Sequence, residues 1–206
     1  RISIDTMRHD HTRWTGRWTD SFTPHLDEFA SEATRFAAAS TTATATRPAV
    51  ASLLTGMYPK AHGVEANRHT LSQSQETLAQ ILTQSGYSSA AFIANGLLSE
   101  KGGFHQGFEK AKTTSAYMGS LDEEIAENGI QWLRDREQGR PFFLWLHFMD
   151  PHGPYFSAPP RIRQEVPRHD GLGDRKLSAQ RASRLSREDR RFGNLAERLR
   201  RLGYLD

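Results

Sequence analysis

The chain has 206 residues, a normal length for one domain and enough to bury a core. Its mean hydropathy of −0.67, with 36% hydrophobic residues, is low for a compact enzyme and predicts that part of the chain is unpacked. The net charge of +3 hides a strongly basic C-terminal quarter; zero cysteines exclude disulfides and thiolate zinc sites, and no apolar run is long enough to cross a bilayer.

Ile2-Ser3-Ile4 alternates and stops at Asp5, which reads as the end of a strand. In an open α/β sheet chemistry collects at the carboxyl ends of strands, so Asp5 is either a site residue or the cap of the following turn. His9 and His11 have a spacing that invites a metal reading, but they sit in a polar loop where histidines are usually solvated. Thr23-Pro24-His25-Leu26-Asp27 marks a helix start, with Leu26, Phe29, Ala30 and Ala33 on one face. Residues 36–45 are small and rich in Thr and Ala, and read as a buried strand or loop that delivers Thr46.

Thr46-Arg47-Pro48-Ala49-Val50-Ala51-Ser52-Leu53-Leu54-Thr55-Gly56 is the stretch that carries chemistry. A small hydroxyl residue, a proline two positions on and a short apolar helix ending in Thr-Gly can hold a nucleophile at a helix N-terminus. There, free N–H groups and a partial positive charge suit an anionic ester and a developing alkoxide. The same residues also read as an N-capping Thr46, a Pro48 that stiffens the first turn and an ordinary buried helix.

Residues 76–85 predict an amphipathic helix with Leu78, Ile81 and Leu82 inward, stopped by Gly86, and residues 87–93 the next parallel strand. Asn95-Gly96 follows at the strand end, where the amide can donate to a substrate oxygen or simply form a turn. Residues 121–136 predict a long helix with Ile125, Ile130 and Leu133 on its inner side. Residues 141–148 are continuously apolar, as expected of a central strand buried on both faces, and run into Asp150-Pro151-His152-Gly153-Pro154-Tyr155. From Arg161 onward twelve Arg and one Lys face seven acids, a surplus of six that leaves −3 for the rest. No aromatic interleaving accompanies this stretch, so it reads as a solvated basic segment and not as a nucleic-acid-binding arm.

Several of these runs together resemble the sulfatase family of the alkaline phosphatase superfamily. The Thr46 stretch is similar to its nucleophile signature, C/S-x-P-x-R followed by A-S-L-L-T-G, with Thr46 at the Cys/Ser position, Val50 at the Arg, and residues 51–56 matching throughout. Tyr58-Pro59-Lys60-Ala61-His62-Gly63-Val64 resembles the Y-P-x-x-H-G-V that follows, with His62 structural. Asp5-Thr6-Met7-Arg8-His9-Asp10-His11 resembles the D-T-L-R-A-D-H opening, and residues 23–30 and 102–108 resemble further scaffold segments.

The resemblance implies an α/β fold, a three-layer sandwich with a mostly parallel central sheet. It makes Asp5 a metal ligand, Thr46 the nucleophile and a further metal ligand, Asn95 a substrate-binding residue, and His152, in P-H-x-P-Y, the general acid. The chain departs from the sulfatase pattern at both decisive positions of the signature, Thr46 and Val50, and at others. Thr6 replaces a second Asp, Thr46 cannot become formylglycine, and the Lys and His of G-K-W-H-L-G are absent around Asn95. An unmodified Thr is closer to the branch that attacks phosphorus in phosphodiesterases and in phosphoethanolamine or phosphoglycerol transferases. The implied cofactor is a divalent metal, calcium for a sulfatase and manganese or zinc for a phosphoester enzyme. The implied partner is a small-molecule or glycan sulfate or phosphate ester.

The later family segment S-D-H-G or D-N-G, which supplies the remaining metal ligands, has no counterpart, whereas residues 195–205 resemble the terminal helix R-L-x-x-L-G-Y-L. The expected organisation is a sulfatase-like portion over 1–160, an Arg-rich stretch over 161–193 and a helix over 194–206, with the middle of the domain missing. Three functions follow: an ester hydrolase, a transferase of the phosphoethanolamine or phosphoglycerol type, or an inactive remnant.

Overall fold

The computed structural model describes residues 1–12, 14, 23–114 and 122–152. The expected Arg-rich stretch and terminal helix therefore lie outside the described residues. Contacts divide the chain into two units, one of residues 1–5 with 38–149 and one of residues 6–37 with 150–206.

The apolar run becomes β4 (Phe142–Phe148), the strand that organises the first unit. It lies between β1 (Ile2–Ile4) and β2 (Ser88–Ile93), with β3 (Lys110–Thr113) outside β2, in the order β1-β4-β2-β3. All three pairings are parallel, with Ser3 opposite His147 and Ala91 opposite Trp145. β2 is built from Ser, Ala, Phe and Ile and is buried at every position, and its small residues let helices approach both faces.

On one face Val50, Ala51 and Leu54 of α2 (Thr46–Thr55) pack with Ala91, Ile93, Trp145, Leu98 and Phe104. Phe108 stacks on Phe143 and Trp145, with centroids 5.5 and 6.1 Å away. The large side chains Trp145, Phe92 and Phe104 are fully buried, each worth about 1.5–3 kcal/mol. α3 (Pro59–His62) follows α2 directly. On the other face lies α5 (Asp122–Asp135), where Gly129 sits so close to Leu146 that a Cβ would come within 2.8 Å of its Cδ2. Trp132 meets Phe142 edge-on at 6.0 Å, and the Arg136 guanidinium lies 4.4 Å over the same ring. Helix, sheet and helix make the three layers that the family resemblance implies.

Local differences from the sequence reading have identifiable causes. α4 (Leu78–Gln84) starts later than expected because Thr77 and Gln80 form a capping box, each side chain bonding the other's backbone N–H. Ala79 is fully buried where Ile81 was expected, Ile81 is 45% exposed, and Thr83 faces the sheet through Ser89 Oγ (2.6 Å). Residues 36–45 are irregular and mostly exposed, not a buried strand. Their side chains are too small to drive burial, and the Thr41 hydroxyl bonds the Ala43 backbone in a local turn. In the second unit α1 (Pro24–Glu32) buries only Ala30, while Phe29 is 61% exposed and Thr23 makes no side-chain cap. No helix among the described residues is long and apolar enough to cross a membrane.

Candidate functional site

The carboxyl ends of three adjacent strands converge in the first unit. The ladder continues past each strand: Asp5 N donates to Phe148 O and Ala94 N to His147 O, both at 2.9 Å. Asp5 therefore emerges from the end of β1 and Asn95 from the end of β2, with β4 between them. The Asn95 amide crosses that gap, its Nδ2 donating to Asp5 Oδ2 at 3.0 Å. Its Oδ1 accepts from Leu97 N at 3.0 Å, which starts the tight turn Gly96–Leu98. Asn95 thus forms a turn, and its amide is committed to a carboxylate. Thr6, the residue after Asp5, has φ +55, a conformation that strains a β-branched residue.

The same turn fixes the start of α2. Arg47 Nε donates to Leu97 O at 2.7 Å and its Nη1 to His69 O at 2.9 Å, while its backbone N–H donates to Asn67 Oδ1 at 2.9 Å. Ala45, not Thr46, is the N-cap, and Ala49 N bonds its carbonyl at 3.1 Å. Thr46 is the first residue inside the helix, half-buried, and its hydroxyl makes no hydrogen bond among the described residues. Because Pro48 has no N–H, this helix end offers fewer open donors than its sequence suggests. One turn therefore holds both the Asp5 carboxylate, through Asn95, and the backbone that carries Thr46, through Arg47.

Behind Asp5 lies a buried chain that the sequence reading did not single out. Trp145 Nε1 donates to Ser3 Oγ at 2.9 Å, Ser3 Oγ meets His147 Nδ1 at 2.8 Å, and His147 Nε2 faces Asp5 Oδ2 at 3.7 Å. Two signals were present. One was the Ser in an alternating strand, and the other was a lone His in an otherwise apolar run.

His62 is 2% exposed and structural. Its Nδ1 accepts from Val64 N at 3.1 Å, so its Nε2 carries the proton and donates to Ser52 Oγ at 3.0 Å. Burial lowers its pKa below the ordinary imidazole range. Burial likewise lowers that of His105, opposed by nearby Glu100.

In the second unit His9–His11 is a single tight turn, and Arg8 grips Asp10 with two bonds of 2.8 and 2.6 Å. His9 joins Trp14, Ala33, Arg35, Phe36 and Ala37 around a cleft of about 410 Å³. His152 also belongs to this unit, half-buried and directly after the cis Asp150-Pro151 bond. The structure thus brings Asp5, Asn95 and the Thr46 backbone to one turn and places His152 in the other unit.

An Asp5 carboxylate 13% exposed and a free threonine hydroxyl are donors of the type that a hard divalent cation takes. They fit it in kind and begin a ligand set; no group of three or more His, Asp or Glu able to hold an ion occurs among the described residues.

A parallel sheet covered by helices on both faces, with a carboxylate and a hydroxyl-bearing helix start tied at its carboxyl edge, makes this an α/β protein with its candidate site at the carboxyl ends of the strands. The chain belongs to the sulfatase family, whose model matches residues 2–206. It is 28% identical over 153 residues to N-acetylglucosamine-6-O-sulfatase of Bacteroides thetaiotaomicron, a match that covers 66% of this chain and 27% of that protein. Its fold resembles that of a protein solved with its substrate D-glucosamine-2-N,6-O-disulfate, with TM-score 0.71, 23% identity, and coverage of 89% of this chain and 41% of the other. It also resembles the phosphonate monoester hydrolase of Agrobacterium radiobacter, with TM-score 0.70, 19% identity, and coverage of 98% and 59%. The chain thus spans about a quarter of the length of the curated relative it matches.

Proposed function

We propose that this chain contributes the nucleophile side of a metal-dependent hydrolase of sulfuric or phosphoric esters. The observation that carries the reading is the shared turn, in which Asn95 holds the Asp5 carboxylate and Leu97 O holds the Arg47 side chain beside Thr46. The Asp5 carboxylate and the helix start that carries Thr46 are thereby anchored to one turn before any substrate arrives, which supports the positioning that in-line displacement needs.

Asp5 and the Thr46 hydroxyl would hold the divalent ion, which when bound neutralises the ester's non-bridging oxygens. Thr46 Oγ forms the new bond to phosphorus or sulfur as its proton leaves to solvent and the bond to the leaving alcohol breaks. His152, assigned by its motif alone, gives that alcohol its proton. Water then cleaves the threonyl ester. Similarity to the N-acetylglucosamine sulfatase and to the protein solved with glucosamine disulfate supports an anionic ester on an amino sugar as the substrate class, and the unmodified threonine keeps phosphoric esters alongside sulfuric ones.

The test is release of sulfate from glucosamine 6-sulfate and of phosphate from an aryl phosphate monoester, with calcium, manganese or zinc, by the wild-type chain and Thr46→Ala. Turnover that Thr46→Ala lowers by about a thousandfold or more supports the reading. Transfer of the phosphoryl group from Thr46 to an added alcohol in place of water would favour the transferase reading. No turnover of either ester with any of the three metals would leave the inactive remnant as the account.

A further inference from the structure

We propose that His147 is a positioning residue for Asp5: its Nε2–H, set by a relay from Trp145 through Ser3, points at the Asp5 carboxylate and fixes the orientation in which that carboxylate is presented. The consequence for a cation rests on the metal-dependent reading above; the orientation of Asp5 does not.

The tautomer follows from hydrogen-bond accounting. An indole N–H can only donate, so Ser3 Oγ accepts from Trp145 Nε1 at 2.9 Å and has its own hydrogen left to place. The acceptor within reach is His147 Nδ1 at 2.8 Å. When Nδ1 accepts, the neutral imidazole carries its proton on Nε2. The opposite tautomer would have Ser3 Oγ accept twice, with no acceptor for its own hydrogen among the described residues.

His147 is 3% exposed, and its Nε2 has no hydrogen-bond partner among the described residues. A buried donor without a partner is costly. The group it faces is Asp5 Oδ2 at 3.7 Å, and a shift of about half an ångström completes that bond. Asn95 Nδ2 already donates to the same oxygen at 3.0 Å, so Oδ2 lies between two donors presented by two different strands. The ring is further fixed by an edge contact with Trp145 at 5.8 Å. An Nε2 that carries a proton cannot also ligate a metal, so the histidine acts through Asp5.

Two measurements on the full chain test this. Nitrogen-15 NMR of the imidazole at about pH 8, above the ordinary histidine range, reads the tautomer directly. Protonated Nε2 with unprotonated Nδ1, and an Nε2–H resonance that moves in Asp5→Asn, is the expected result. An Nδ1–H tautomer, or a resonance indifferent to Asp5→Asn, overturns the proposal. The second measurement is manganese affinity in His147→Phe, His147→Gln and Ser3→Ala. His147→Phe should weaken binding about tenfold or more, with His147→Gln, which keeps an N–H donor, recovering most of the loss. Equal affinity in folded His147→Phe overturns the role, and a metal-induced loss of the Nε2–H proton would make His147 a ligand instead. If the wild type binds no manganese, the metal reading fails while the NMR result still decides whether His147 holds Asp5.

Discussion

Asn95 donates to Asp5 across the full width of β4, a 3.0 Å bond between residues that emerge from the ends of two non-adjacent strands. The contact requires β1, β4 and β2 to be assembled in register, so the site's carboxylate is oriented only in the folded sheet. Asn95 is 5% exposed and uses both ends of its amide, one on Asp5 and one on Leu97 N. Asn95→Ala should cost about 2–3 kcal/mol in a urea melt, because it strips one bond from a carboxylate and one from a buried turn.

Thr46→Ala should leave stability within about 0.5 kcal/mol of wild type. The cap of α2 is Ala45 and the Thr46 hydroxyl makes no hydrogen bond among the described residues, so nothing structural is lost with it. A matched denaturation curve separates a chemical role from a capping one; a loss of about 1 kcal/mol or more would mark the hydroxyl as a cap after all.

Gly103 adopts φ +84, and a Cβ there would stand 2.2 Å from the Leu71 carbonyl oxygen. Gly103→Ala should therefore destabilise the chain by about 3 kcal/mol or more, measured by urea denaturation, since backbone strain and a backbone clash add. Gly86, also at positive φ but with open space at its Cβ, should tolerate alanine better.

Stability should fall as the solution is acidified through the imidazole range. The pKa of His62 is lower in the folded chain because burial disfavours the imidazolium, so the unfolded chain takes up the proton first, at about pH 6.5. The contribution is complete above that value and declines as pH falls toward the lower folded value. His105 adds a dependence of the same sign. Urea melts of wild type and His62→Asn between about pH 8 and pH 5 should show a shallower slope in the variant, which keeps an acceptor for Val64 N.

The sheet was legible because its signals are strong over whole elements. The unbroken apolar run of β4, the short alternation of β1 and the small-residue strand β2 each admit one reading, and Thr-Gly correctly marks the end of α2, where Gly56 turns left-handed. What was not legible depends on register and on distant partners. α4 begins at Leu78 and not at Glu76 because the Thr77–Gln80 capping box needs both partners, and its inner face carries Ala79 where Ile81 was expected, a choice set by packing against distant residues. Arg47, adjacent to the candidate nucleophile, earned no attention in a charge-based reading, yet its guanidinium spans two backbone carbonyls 22 and 50 residues away. His147 looked like one letter of a hydrophobic strand; its chemistry appears only when parallel pairing sets it beside Ser3.

The most direct test of the account is a thermal melt of the full chain with and without calcium, manganese and zinc, repeated on Asp5→Ala. At a hundredfold excess over Kd a single bound ion stabilises the folded state by about 3 kcal/mol, which reads as a rise of about 6–12 °C for a chain of this size. The account predicts such a rise with at least one of the three ions and its loss in Asp5→Ala. An unchanged melting temperature with all three, or an equal rise in Asp5→Ala, would contradict it.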